Sequence, residues 1–271
     1  MLRDVTIGQY FPGSSVLHRM DPRAKIVLLL PIIVFIFITK NYFAVALTTL
    51  FVFVLMLISG VPVKMYFKSL KMIIFIVLFT SVINLFYGRG EPLVQLGFIK
   101  ITEAGINNSV FVAIRIITLI IASSMLTFTT SPTELTDALE RLFKPLKVFH
   151  IQPNEIAMMI TIALRFVPTL VEETDKIMNA QKARGADMES GGLIQRVKAL
   201  VPVLIPLFVS AFRRAYDLAM AMECRCYRGG EGRTKMKVLK MSSLDFFAIL
   251  IVFLLCIGVI SCNVFLPAAV R

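Results

Sequence analysis

The strongest constraint on what this chain can fold into is a set of five apolar runs, at roughly 24–39, 42–59, 70–87, 109–129 and 244–266, with a basic segment of more than a hundred residues between the fourth and the fifth. Alone or with its polar flanks, each run is long enough to cross about 30 Å of hydrocarbon. With 57% of 271 residues hydrophobic, a soluble core of this size could not enclose so much apolar surface, and the bilayer must serve as part of the solvent. The expected class is all-α, a polytopic membrane helix bundle joined to a cytoplasm-facing domain of long amphipathic helices. The expected division is 1–130, an N-terminal arm with four spans, then 131–243, the long helices, then 244–271, a last span and short tail. Met1-Leu2-Arg3-Asp4 lacks the charged start, apolar run and small-residue cleavage site of a secretory signal, so the spans themselves are expected to direct insertion.

Charge is distributed unevenly along this pattern. Of 29 Lys and Arg residues, seventeen fall in 130–243, four in 1–25, three in 61–71, two in 88–108 and one at Lys40. A central Lys or Arg costs about 2.5–3.5 kcal/mol on insertion scales, so a net charge of +12 belongs in the loops. The alternation follows the positive-inside rule and places the N-terminus and the basic segment in the cytoplasm and the C-terminus outside. Arg115 lies within a run, and a structural ion pair or snorkelling is expected for it and for Arg165.

A segment of this length between spans must have structure of its own. Three helices are expected. Ser131-Pro132-Thr133-Glu134 combines a capping serine, a proline suited to the first helical position and a glutamate able to complete a capping box, opening a helix to about Phe143. A second runs from Asn154 or Glu155 to Arg184, with Leu170, Thr174, Ile177, Met178 and Gln181 on one face and Gly185 as its stop. The third has apolar residues at Leu193, Val197, Leu200, Leu204, Leu207, Ala211, Ala215, Leu218 and Met222, recurring every three or four positions, with Pro202 and Pro206 bending its early part and Gly229-Gly230 as its stop. Glu172, Glu173 and Asp175 are expected to make ion pairs along the helix surface.

The last two helices close on similar words: Ala183-Arg184-Gly185 and Cys224-Arg225-Cys226. An arginine in a last helical turn gains about 0.3–1 kcal/mol from the helix dipole, which is the plain structural reading of each. The repetition supports a second reading, a paired fork of guanidiniums suited to capturing carboxylates on a partner. Chemistry on the chain itself is not indicated. Cys224 and Cys226 would need two further ligands to hold zinc, and His18 and His150 are distant in sequence. The run from Gly229 to Lys235 lacks the residue order of a phosphate-binding loop. No Ser/His/Asp set or metal signature stands out.

Gly8-Gln9-Tyr10-Phe11-Pro12-Gly13, His18-Arg19-Met20-Asp21-Pro22-Arg23, Ala163-Leu164-Arg165-Phe166-Val167-Pro168, Gln181-Lys182-Ala183-Arg184-Gly185 and Ala221-Met222-Glu223-Cys224-Arg225-Cys226-Tyr227-Arg228-Gly229-Gly230 together resemble the transmembrane T component of energy-coupling factor transporters. The likeness covers nearly the whole chain and is closest to members shared among several substrate subunits. It implies a coupling domain in which Arg184 and Arg225, within Ala183-Arg184-Gly185 and Cys224-Arg225-Cys226, dock one each into two ABC-type ATPase subunits. It also implies a substrate-binding membrane S subunit as partner, location as a multi-pass protein in the cell membrane of a prokaryote, and uptake of vitamins or other micronutrients. No cofactor is expected on this chain; ATP and Mg belong to the partner ATPases, so the chain is a non-catalytic subunit. Cys224 and Cys226 depart from the alanine and glycine of the motif. The competing readings are a substrate-conducting permease of a conventional ABC transporter and a membrane scaffold whose basic domain meets anionic lipid. Nucleic acid is not an expected partner.

Overall fold

The computed structural model describes residues 10–86, 92–96, 99–149, 152–186, 192–229 and 239–265. Gly8-Gln9, His150, the run 230–235 and the two chain ends lie outside these residues. The order is α1 (Val16–Arg19), α2 (Pro22–Ile38), α3 (Tyr42–Ile58), α4 (Val63–Phe86), β1 (Pro92–Leu96), β2 (Ile99–Thr102), α5 (Glu103–Thr129), α6 (Pro132–Leu142), a 3-10 turn at Lys144–Phe149, α7 (Pro153–Ala183), α8 (Leu193–Cys224) and α9 (Ser243–Phe265). The helical expectation holds. The one sheet among the described residues is an antiparallel β1–β2 hairpin with Leu96 opposite Ile99, in a stretch the apolar pattern leaves as a loop. The chain forms two compact units, one of residues 9–135 with 238–271 and the other centred on 136–237.

Among the described residues, five helices are long and apolar enough to cross a membrane: α4, α5, α7, α8 and α9. Their number matches expectation, but their membership differs. The first two expected spans, α2 and α3, have 17 residues each, about 25 Å of rise and the lower limit for crossing. Long α7 and α8 qualify through their apolar stretches, although charged residues such as Glu172, Glu173, Arg213 and Arg214 follow those stretches. The third expected span starts earlier than its apolar run, because Lys64, Lys68 and Lys71 ride in the opening turns of α4.

In the bundle unit, α2, α3, α5 and α9 enclose a core of Leu28, Ile32, Ile36, Val52, Met56, Ala122, Phe128 and Val252. Helix ends buried within protein leave carbonyls that need a donor from the chain itself, and Thr39, Thr129 and Thr130 are all buried. The bundle satisfies them with its own cations, buried Lys25 and half-buried Arg115. Lys25 near the start of α2 donates from Nζ to the Thr129 carbonyl at 2.9 Å and to Thr130 Oγ1 at 3.1 Å, at the end of α5. In return, Arg115 of α5 donates from Nη2 to the carbonyl of Thr39, the C-cap of α2, at 2.7 Å, with its guanidinium 5.5 Å from the Phe111 ring centre. The ion pair or snorkelling expected for Arg115 is thus replaced by a helix cap, since Thr39 lies beside it in the folded bundle. Asn263 closes the same end, its Nδ2 donating to the Ile38 carbonyl at 3.1 Å.

The N-terminal motifs staple the opposite end. The Phe11 N–H donates to the Phe128 carbonyl at 2.9 Å. His18 Nε2 donates to the Phe11 carbonyl at 2.9 Å while Nδ1 accepts from Ser15 Oγ at 2.7 Å. Asp21 caps α2 through the Arg23 N–H at 2.9 Å and pairs with the Arg23 guanidinium at 2.6 Å. The fully buried Asp245 accepts from the Asp21 N–H at 2.9 Å and the Ser242 N–H at 2.7 Å, and Arg23 also reaches the Leu239 carbonyl at 3.2 Å. The start of α9 is therefore pinned to the start of α2.

Small residues set the approach of α4 to α5. Ser109 Oγ donates to the Ser81 carbonyl at 2.8 Å, and a Cβ at Gly105 would stand 2.4 Å from the Leu85 carbonyl oxygen. Close backbone contact of this kind drives helix association in lipid. Gly105→Ala should lower stability by about 1–3 kcal/mol, the usual cost of overpacking, read as a lower thermal midpoint in detergent. Gly258→Ala, whose Cβ would meet only Leu47 Cδ2 at 3.3 Å, should change it little.

Candidate partner-docking site

The second unit is built on the pairing of α7 with α8. Three contacts set its register: Gln181 Nε2 donates to the Pro202 carbonyl at 3.2 Å, Ser210 Oγ donates to Glu173 Oε1, and Arg214 Nη2 donates to Glu173 Oε2 at 2.5 Å. Partners rise in α8 as they fall in α7, so the helices run antiparallel. The first contact has a cause in sequence. Proline lacks an N–H, so Pro206 leaves the Pro202 carbonyl without its helical donor and Gln181 supplies one. Glu173 pairs across to α8 rather than along its own helix as expected, because its face also carries half-buried Leu170, Thr174, Ile177 and Gln181.

The covered face of α8 differs in part from the expected stripe. Val203 is buried and Leu207, Ser210, Ala211, Arg214, Leu218 and Met222 are half-buried, whereas Val197, Leu200, Leu204 and Ala215 are exposed. The helix is apolar on more than one side, and periodicity does not say which side meets α7. A second apolar face, Ile205, Phe208, Val209, Phe212 and Tyr216, stays open in this chain, with Phe212 at 73% exposure.

Both helices end in the same backbone motif. In α7 the Gly185 N–H donates to the Lys182 carbonyl at 3.0 Å and the Ala186 N–H to the Gln181 carbonyl at 3.0 Å. In α8 the Cys226 N–H donates to the Glu223 carbonyl at 2.8 Å and the Tyr227 N–H to the Met222 carbonyl at 3.0 Å. These are the paired bonds of a Schellman termination, which needs a left-handed residue just beyond the cap. Gly185 supplies it at φ +85 and Cys226 at φ +57. The expected stop for α8, Gly229-Gly230, is thus corrected: the chain turns three residues earlier, at a cysteine in glycine's place. Arg184 and Arg225 are the C-cap residues, and both are exposed, as are Ala183, Gly185, Cys224 and Cys226. Arg165 is exposed as well.

The two arginines do not lie side by side. Gly229, just past the end of α8, lies against Glu155 in the first turn of α7. Arg184 stands at the other end of that 31-residue helix, so the arginines are on the order of 30–40 Å apart at 1.5 Å of rise per residue. A single fork is replaced by two separate posts, because the antiparallel register sends the C-termini in opposite directions.

The chain matches the model of the CbiQ family, described as cobalt transport protein, over residues 13–236, a stretch that contains both arginine-capped helices. The chain belongs to this family. As a CbiQ family member it is 54% identical over 245 residues to the energy-coupling factor transporter transmembrane protein EcfT of Ruminiclostridium cellulolyticum, covering 90% of this chain and 92% of that one. It is 51% identical over 264 residues to the protein of the same name from Clostridium kluyveri, covering 96% and 98%. To that from Bacillus subtilis it is 46% identical over 246 residues, covering 90% and 93%. The family and the apolar helices make this CbiQ family chain a multi-pass membrane protein.

Sequence reasoning did not anticipate the Glu173–Ser210–Arg214 clasp, the Lys25 cap or the Asp245 anchor. A signal existed for the last two, since a lone lysine early in an apolar helix and a lone aspartate in the opening turn of another are each too costly to leave unpaired. The left-handed Cys226 yields a direct test. Cys226→Gly should stabilise the last turn of α8 by about 0.5–1 kcal/mol, strain relief of 1–2 kcal/mol set against the added unfolded entropy of glycine. Cys226→Val should fray that turn. Hydrogen exchange at the amides of 226 and 227 reads both.

Proposed function

We propose that this chain is the transmembrane coupling subunit of an ATP-driven energy-coupling factor importer, and that Arg184 and Arg225 each dock one ABC-type ATPase subunit. The observation that carries this reading is the repeated termination of α7 and α8, which exposes one C-cap arginine at each end of an antiparallel helix pair. Two similar posts held tens of ångströms apart suit two similar partners. A Schellman end satisfies the helix carbonyls through the backbone and leaves the guanidinium available for bidentate capture of a carboxylate. The names of the relatives support the same assembly. On this reading residues 131–243 form a coupling domain, ATP and Mg bind the partner ATPases, and the chain performs no catalysis itself. The open apolar face of α8, with Phe208 and Phe212, is suited to a substrate-binding membrane S subunit, which would select the vitamin or other micronutrient. The N-terminus and the coupling helices lie in the cytoplasm and the C-terminus outside.

The test is co-purification of the chain with its ATPases from membranes, with substrate uptake measured in parallel. Removing a charge-assisted contact costs about 1.5–3 kcal/mol, so Arg184→Ala and Arg225→Ala should each weaken the association about tenfold or more. The double variant should insert normally, lose the ATPases and abolish uptake. Unchanged assembly and uptake in the double variant would reduce both arginines to helix caps.

A further inference from the structure

The bundle unit contains a cavity of about 210 Å³ between α2, α3, α5 and α9. Its lining is apolar except at one end, where Lys25 and Thr129 face it. That end is where α2 begins, α5 finishes and α9 begins, so it lies at a boundary of the bundle rather than at mid-depth. Phe247 and Ile251 of α9 line the cavity while keeping more than half of their surface outside, so it opens on an apolar flank of the bundle.

Lys25 is 7% exposed, and its ammonium has three donors. Two are used, on the Thr129 carbonyl and Thr130 Oγ1, and both acceptors are uncharged. Asp21, Asp245 and Glu134 act on it only at longer range, and the first two are engaged elsewhere: Asp21 with the Arg23 guanidinium, Asp245 with backbone N–H groups. One donor and a buried positive charge therefore remain at the head of an apolar slot. An exposed second cation, Arg19, lies on α1 between the lining residues Leu17 and Met20.

We propose that this cavity binds one acyl chain of an anionic phospholipid, with the phosphodiester held by Lys25 at the boundary end. Charge complementarity selects the headgroup, and the apolar wall selects the chain. A membrane lipid is the occupant that reaches such a flank opening, and phosphodiesters lie at the depth where these helices begin and end.

The test titrates the full-length chain in detergent with phosphatidylglycerol and with phosphatidylcholine, read by native mass spectrometry and by the shift in thermal midpoint. One phosphatidylglycerol per chain is expected, bound about tenfold more tightly than phosphatidylcholine, the effect of one charged hydrogen bond. Lys25→Met should erase that preference. Ala248→Phe, which narrows the cavity and keeps the lysine, should weaken both lipids. Equal binding of the two lipids by the unaltered chain overturns the proposal. So does phosphatidylglycerol binding left unchanged by Ala248→Phe, an arm that stands even where Lys25→Met fails to fold. Phosphatidylglycerol held by the isolated chain but absent from the chain purified with its partners assigns the cavity to a protein segment, and overturns it too.

Discussion

A helix that ends buried within protein strands its last carbonyls, and the rest of this bundle is arranged around satisfying them. Lys25 and Arg115 are each expensive to place among apolar helices, and each occupies the one spot where its charge is useful: the C-terminus of the other's helix. The exchange ties α2 to α5 at both ends and fixes their antiparallel alignment without reliance on side-chain packing alone. The carboxylate of Asp245 does the converse work for donors, accepting from the backbone where α2 and α9 start. Lys25, Arg115 and Asp245 thus each serve a backbone end.

In the second unit the same accounting is met by the backbone. Schellman bonds close α7 and α8 through the backbone, and the C-cap residues Arg184 and Arg225 are both exposed. Proline enters the accounting as well, since the carbonyl released by Pro206 becomes the acceptor that registers α8 against Gln181.

Much of this was legible in the chain. The helix limits follow from caps and stops that sequence states directly: Ser131 does accept from the Glu134 N–H at 3.3 Å, and Gly185 does turn the chain after α7. What sequence could not state is which residues meet across elements. Arg115 reads as an unpaired charge until Thr39 is brought beside it. Glu173 reads as one of three surface acids until the register delivers Ser210 and Arg214. The stripe chosen for α8 failed in part because a helix apolar on two sides offers two answers. Cys226 was misjudged because cysteine seldom adopts positive φ, and the glycines that follow looked like the natural stop.

The place of the Glu173–Arg214 clasp along the helix pair has a mechanical consequence. Arg184 lies eleven residues beyond Glu173, and Arg225 lies eleven residues beyond Arg214, about 16 Å of helix in each case. The clasp is equally far from the two tips, and a second bond, Gln181 to the Pro202 carbonyl, holds the pair nearer Arg184. A displacement at one tip is carried toward the other through these cross-helix bonds, so the leverage between the tips is set where side chains far from both of them meet.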